Sequence, residues 1–314
     1  MLKMFQAQRE AAGSSGFWDE SWNADQLPSV LADPAVCEND PLLPLFRSTL
    51  TRDRLFLEGG CGQAQWVKYF SDRGQRSVGI DFAERTISSV RRMLPDLDVR
   101  VGNILALPFA DGSVHTYYSG GVVEHFEDGP EQALAEARRV IADDGWFLCS
   151  VPDESPLRRL LYRGGEVSRP DLDPALLVRR VDRTTGEAPP LGKRFFQYVF
   201  REEEFRRRLD AAGFTVERTF GCGLLWGLFE IRGVAPVYQT LLGALRGRFD
   251  LHAATAPVFA APAADPAFES GPVGLLRRAL VREDPTVPVL GPALRAFRER
   301  CANMRMYVAR PRLR

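Results

Sequence analysis

Leu55-Phe56-Leu57-Glu58-Gly59-Gly60-Cys61-Gly62-Gln63-Ala64-Gln65-Trp66 is the stretch whose reading decides the fold. It opens as an apolar run of strand length, breaks into glycines, and continues from Ala64 in a helical pattern. Trp66, Val67 and Phe70 share one face of that helix, and Gly74 stands past its end as a C-cap. A strand, a glycine turn and a helix in that order form a nucleotide-binding corner. Glycines let the backbone approach a ligand closely, and a helix N-terminus offers free N–H groups. A second short apolar run, Ser77-Val78-Gly79-Ile80, ends in Asp81, 19 residues after Gly62. An acid at the tip of the second strand of a βαβ unit is placed to hydrogen-bond ribose hydroxyls. The dinucleotide fingerprint calls for a further glycine, but Gln65 stands in that register, which argues against NAD or FAD. Glu58 stands where a carboxylate orders the loop or holds a cationic ligand group.

Working outward, Asp98 to Val101 reads as a third strand after a helix that Pro95 stops. A fourth runs from about Val114 to Ser119, and a fifth covers Trp146 to Val151 and is stopped by Pro152. Pro130–Ile141 and Arg201–Ala212 read as helices, the second capped by Gly213. Phe214–Arg218 and Asn303–Arg310 read as the last two strands.

With these motifs on the page, the chain resembles the class I S-adenosylmethionine-dependent methyltransferases, in particular the small-molecule "methyltransferase domain" family. Leu57 to Ala64 is similar to that family's first motif, with Ala64 where a further glycine is usual. Val78 to Phe82 is similar to the second motif, Val101 to Phe109 to the third, and Gly121-Val122-Val123-Glu124-His125-Phe126 follows the fourth strand as in the family. The resemblance spans roughly residues 50 to 220 and the last strand. It implies an α/β fold, a Rossmann-like sheet that is mostly parallel with its last strand antiparallel beside the fifth and sixth. It implies S-adenosyl-L-methionine as cofactor. Glu58, Gly60, Cys61 and Gly62 would surround the methionine part and Gly120 would lie under its amino acid moiety. Asp81 would hold the ribose hydroxyls, with Phe82 against the adenine and Asn103 and Ile104 along its edge. Asn103 replaces a usual aspartate but keeps an acceptor oxygen. His115 also stands where the family carries an aspartate, and reads as a surface residue at a strand start.

His125, at the mouth of the crevice, reads either as a general base for a hydroxyl or amine nucleophile or as a residue packed against the cofactor. Methyl transfer often needs no base, because the sulfonium carries the hard chemistry and the protein mainly aligns the reactants.

The domain organisation follows: residues 1–50 as an N-terminal helical lid, residues 51–223 with 302–314 as the cofactor-binding domain, and residues 224–301 as a helical insertion. In the lid, Trp18 and Trp22 fall on one helical face and either staple that helix to the core or cover the site. Residues 153–195 form a long charged stretch of the kind that is functional or carries extra helices. In the insertion, Tyr238, Leu241, Leu242 and Leu245 fall at helical spacing. So do Leu276 and Leu280, and then Leu294, Phe297 and Cys301. These helices roof the active site, form a homodimer contact, or simply pack in the core. Arg246, Arg248, Arg277 and Arg278 beside apolar faces leave a membrane-surface role as a third reading.

Composition narrows the partners. With 41 residues of each sign, the formal net charge is zero, which does not suggest a nucleic-acid surface. Five scattered cysteines without a pairing rhythm read as reduced thiols of a cytoplasmic protein. Three histidines make a histidine-rich metal site a poor expectation, and no apolar run reaches membrane-spanning length. The expected partner is a small-molecule acceptor, methylated at O, N or C. Two other classes compete: a non-catalytic binding or scaffold protein on the same fold, and an NAD-dependent oxidoreductase. The second is disfavoured by Gln65 and by the lack of a Tyr-x-x-x-Lys pair.

Overall fold

The computed structural model describes residues 1–6, 14–22, 31, 34–38, 40–169, 176–182, 184, 189–234, 237 and 291–313. The helical stripes expected at 238–245 and 276–280 and the four flanking arginines lie outside the described residues. The strands are, in chain order, β1 Leu2–Gln6, β2 Phe56–Gly59, β3 Ser77–Asp81, β4 Val99–Val101, β5 Val114–Gly120 and β6 Ile141–Pro152. They continue with β7 Glu166–Ser168, β8 Leu177–Arg180, β9 Arg194–Val199, β10 Phe214–Cys222 and β11 Met304–Pro311.

Seven of these form one sheet in the order β10-β11-β6-β5-β2-β3-β4. β2 pairs parallel with β3 and β5, β3 with β4, and β5 with β6. β11 enters antiparallel between β6 and β10, as expected of the last strand. The strand period of two divides the core. Phe56, Tyr118, Leu148 and Val308 face one layer with Phe46, Trp66 and Phe70. Their neighbours Leu57, Tyr117, Phe147 and Tyr307 face the other, with Leu134, Phe205 and Leu209. Phe46, on the helix Leu43–Thr49, meets Phe56, Trp66, Phe70 and Tyr118 at ring-centroid distances of 4.5 to 5.9 Å. The helix Gln65–Ser71 stops where Gly74 takes φ +79°, a left-handed turn that a side chain would strain.

A second, four-stranded sheet has the order β7-β8-β1-β9. The first fifty residues were expected to be helical, and this corrects their start: Leu2–Gln6 is a strand, antiparallel to both β8 and β9. Leu2, Met4 and Phe5 are buried, which a strand between two partners requires and a surface helix does not. The buried Lys3 is accommodated because its Nζ lies 5.2 Å over the Phe195 ring and 3.6 Å from Glu127. The charged stretch 153–195 accordingly supplies β7, β8 and part of β9, after one short helix, Pro156–Leu161. This small sheet is tied to the large one where Phe200 N–H donates to the Pro152 carbonyl and Glu154 N–H to that of Phe200.

His115 corrects a second expectation. It is buried, with Nδ1 3.1 Å from Thr116 Oγ1 and Nε2 3.4 Å from Thr51 Oγ1, and burial lowers its pKa. It sits at the amino end of β5, the end of the sheet away from the glycine loop, where it packs. Near the C-terminus the helix Gly291–Cys301 forms, with Cys301 buried, but Phe297 stays exposed.

Candidate active site

The carboxyl ends of β2, β3 and β5 fall level, since Gly59 is registered with Ile80 and Glu58 with Tyr118. A cavity of about 390 Å³ opens over them, within the usual size of a small-ligand site. Of the residues expected to bind a cofactor, Glu58, Gly60, Cys61, Asp81, Phe82 and Gly120 line it, and so does His125.

The glycine loop is built by its backbone. After β2 the Gly60 and Cys61 N–H groups both donate to the Ile80 carbonyl, at 2.7 and 3.1 Å, folding the loop over the end of β3. Gly60 has φ +74°, and a Cβ there would collide with Val122. Gly62 has φ +48°, and a Cβ would stand 2.5 Å from the ring of Trp22. Ala64, where the resemblance places a glycine, also has positive φ, +59°, so that position retains the left-handed turn without the glycine.

Asp81 clasps this loop. Its Oδ2 accepts from Gly62 N–H at 2.7 Å and its Oδ1 from Ala83 N–H at 2.9 Å. Burial raises its pKa, while the N–H groups of Ala83, Gly62 and Phe82 oppose that rise. Glu58 is buried more completely. Burial pushes its pKa well above the carboxylate range, a backbone N–H from Val67 opposes this, and Oε2 has no partner. An unpaired buried carboxylate oxygen on the wall of a cavity is the feature a cationic ligand group would satisfy.

Asn103 and Ile104 are placed elsewhere. β4 ends at Val101, and the chain is drawn down where Gly102 N–H donates to the Asp81 carbonyl. Asn103 is exposed and its Oδ1 accepts from Leu105 N–H at 2.9 Å, a local turn; Ile104 is packed in the core. Neither lines the cavity. Gly62 also stays out of the lining and acts through its N–H.

His125 sits on a short 3-10 turn, Val123–His125. Its Nδ1 lies 2.8 Å from the Phe196 carbonyl, which can only accept, so Nδ1 carries the proton and Nε2 keeps its lone pair. Burial pushes the imidazole pKa down to about 4, against the opposing carbonyl. Glu124 Oε1 lies 3.9 Å from Nε2; burial pushes Glu124 up to about 8, and its Oε2 is unpaired.

A seven-residue helix, Ser15–Ser21, closes one side. Trp18 meets His125 edge-on at 4.8 Å, Phe17 meets Phe196 at 6.1 Å, and Trp22 follows the helix onto Gly62. Asp19 caps the helix after Asp81: Oδ1 accepts from Thr86 N–H at 2.9 Å and Oδ2 from Arg85 N–H at 3.3 Å. Asp19→Ala is expected to cost about 1 kcal/mol of stability in urea unfolding.

The pattern missed several lining residues. Asp40 sits in a segment with no periodicity, and Trp226, Asn303 and Met304 lie far along the chain from the motifs. The two lid tryptophans were visible as a pair four residues apart.

Residues 57–149 match the family model described as "Methyltransferase domain". A Mycolicibacterium smegmatis protein named a probable S-adenosylmethionine-dependent methyltransferase is 30% identical over 175 residues, 56% of this chain and 57% of that one. Residues 57–149 thus carry a methyltransferase domain similar to that of S-adenosylmethionine-dependent enzymes. A Serratia marcescens protein named malonyl-[acyl-carrier protein] O-methyltransferase is 29% identical over 104 residues, 33% of this chain and 40% of that one. The chain thus spans about half the length of the curated relatives it matches. The methyltransferase fold extends further than the sequence match. A chain from the complex between the Haloferax volcanii Trm112 methyltransferase activator and a methyltransferase superimposes with a TM-score of 0.50. It is 15% identical and covers 96% of this chain and 99% of its own. No helix among the described residues is long and apolar enough to cross a membrane.

Proposed function

We propose that this protein transfers a methyl group from S-adenosyl-L-methionine to an oxygen, nitrogen or carbon atom of a small-molecule acceptor. The observation that carries the reading is the clasp of Asp81 on the glycine loop beside the unpaired Glu58 carboxylate, both on one cavity wall. These residues fit the cofactor's charge: its ammonium and sulfonium are cations, and Glu58, Asp81 and Asp40 bring carboxyl groups to the cavity, whose ionised form a bound cation favours. In this reading Glu58, Gly60, Cys61 and Gly120 hold the methionine part. Gly62 does so indirectly, by fixing Asp81, and Asp81 holds the ribose hydroxyls. Phe82 lies against the adenine. Asn103 and Ile104 support the turn beneath it from outside the cavity rather than touching its edge.

The bound cofactor supplies an electrophilic methyl on a good leaving group. What this chain supplies is alignment, water exclusion and a place for a proton. Trp22 excludes water from the glycine-loop side and Trp18 from the His125 side. His125 Nε2 takes a proton where the acceptor is a hydroxyl or an amine, its tautomer fixed by the Phe196 carbonyl. The domain division belongs to this proposal, with residues 1–50, apart from their first strand, as lid over residues 51–223 and 302–314, and residues 224–301 as roof or homodimer contact.

Calorimetric titration with S-adenosylmethionine and, separately, S-adenosylhomocysteine tests the reading. Micromolar binding of both is expected. Absence of binding for either would leave a non-catalytic scaffold on a methyltransferase fold.

A further inference from the structure

Beyond the carboxylates assigned to the cofactor, the cavity has a second end. Trp18, Phe126, Trp226 and Met304 wall it, and Asn303 is its amide. Among the described lining residues there is no lysine or arginine. Two guanidinium groups beside Asn303 and Met304 are paired elsewhere. Arg305, next to Met304 on β11, points to the opposite face, where Nε and Nη2 donate to Asp153 Oδ2 at 3.1 and 3.0 Å and Nη1 to Glu299. Arg158 is buried against Glu230 and donates to the backbone carbonyl of Asn303 at 2.8 Å.

Asn303 itself is informative. Its carbonyl accepts from Asp153 N–H and Arg158, so the backbone is fixed, yet its side-chain Oδ1 is buried with no partner. Gly223 makes room for it, since a Cβ there would strike Oδ1. A buried acceptor oxygen left unpaired on a cavity wall asks for a donor from a ligand. The same floor reaches the His125 turn: a Cβ on Gly121 would stand 3.7 Å from Met304 Cε and 3.6 Å from Glu124 Oε1.

We propose that this end of the cavity takes an uncharged, largely apolar acceptor, that Asn303 Oδ1 accepts a hydrogen bond from it, and that carboxylate- and phosphate-bearing molecules are rejected. The inference rests on the methyl-transfer reading for the word acceptor, but the selectivity belongs to the cavity. An anion placed here would lose its water and gain no cationic partner among the described residues. An apolar ring gains the aromatic wall.

Equilibrium dialysis with three probes tests it: 2-naphthol, 2-methoxynaphthalene and 2-naphthoate, each with saturating S-adenosylhomocysteine and without it. 2-Naphthol is expected to bind at least ~10-fold more tightly than 2-naphthoate, for want of a partner for the carboxylate. It should also bind roughly 5-fold more tightly than the methyl ether, which lacks the donor. Asn303→Leu should abolish the difference between 2-naphthol and its ether while leaving S-adenosylhomocysteine affinity within about 2-fold, since one neutral hydrogen bond is removed at the far end of the site. Equal or tighter binding of 2-naphthoate overturns the proposal, as does an undiminished preference for 2-naphthol in Asn303→Leu or no saturable binding of 2-naphthol. Failure of S-adenosylhomocysteine alone to bind overturns the methyl-transfer reading instead, and the ranking of the probes without it still decides the selectivity.

Discussion

Asp81→Ala is expected to weaken S-adenosylhomocysteine binding at least ~100-fold, or about 2.8 kcal/mol, in calorimetric titration. Two losses add. The first is direct: a carboxylate at the end of the second strand accepts from ribose hydroxyls, and charged hydrogen bonds are worth about 1.5–3 kcal/mol each. The second is organisational. Oδ2 holds the Gly62 N–H and Oδ1 the Ala83 N–H, so the same carboxylate shapes the loop and starts the following helix. Without it both N–H groups are left buried and unpaired, and the loop has no reason to keep its left-handed turns. Asn is no safe substitute, because its amide nitrogen would confront one of those two donors. The fold itself should survive, with unchanged far-ultraviolet circular dichroism and a stability loss of about 1–3 kcal/mol. Part of that loss is offset. Burial raises the Asp81 pKa in the folded state, so the ionised group lowers stability as pH rises above its ordinary value, and alanine removes that cost. Unchanged affinity in this variant would remove Asp81 from the ribose role.

The glycine loop and Asp81 were legible because they obey local rules: a turn requires left-handed backbone, and an acid ends a strand. The strand order was legible through the resemblance, and the antiparallel β11 with it. What the chain hid is long-range. β1 is five residues whose partners on β8 and β9 lie 172 to 197 positions later, and no periodicity within Leu2-Lys3-Met4-Phe5 announces them. Lys3 in particular reads as exposed until Phe195 and Glu127 are beside it. Asn103 stands outside the cavity lining for a smaller reason. The motif fixes its position in the chain, but Gly102 is tied to the Asp81 carbonyl and Asn103 closes its own turn on Leu105, which leaves the side chain outside. Asn303 carried no signal at all, because its meaning is an oxygen without a partner, and that is visible only when the neighbours are.

The second sheet also bears on the chemistry. The Phe196 carbonyl that fixes His125 belongs to β9, so the tautomer of a residue on the turn after β5 is set by the smaller sheet. His125→Asn keeps a donor for that carbonyl but removes the basic Nε2. If His125 is the general base, this variant should lower kcat by about 10²–10⁴ and leave S-adenosylhomocysteine affinity nearly unchanged. A pH profile separates this from a packing role. With its pKa near 4, wild-type His125 stays neutral, and basic, throughout the neutral range, so kcat/KM should be level there and fall as pH drops toward that value. The charges to be reckoned with are few: Glu124 at 3.9 Å is the carboxyl facing Nε2, while Trp18 and Phe196 cover the ring. With its pKa near 8, Glu124 keeps its proton across the same range. Glu124 is already protonated where His125 titrates, so the acidic limb belongs to His125, while ionisation of Glu124 toward pH 8 would favour the imidazolium. In His125→Asn the acidic limb should disappear along with the rate. A variant within about 5-fold of wild-type kcat that keeps the same limb would assign His125 to packing between Trp18 and Phe196. Methyl transfer would then rest on alignment alone.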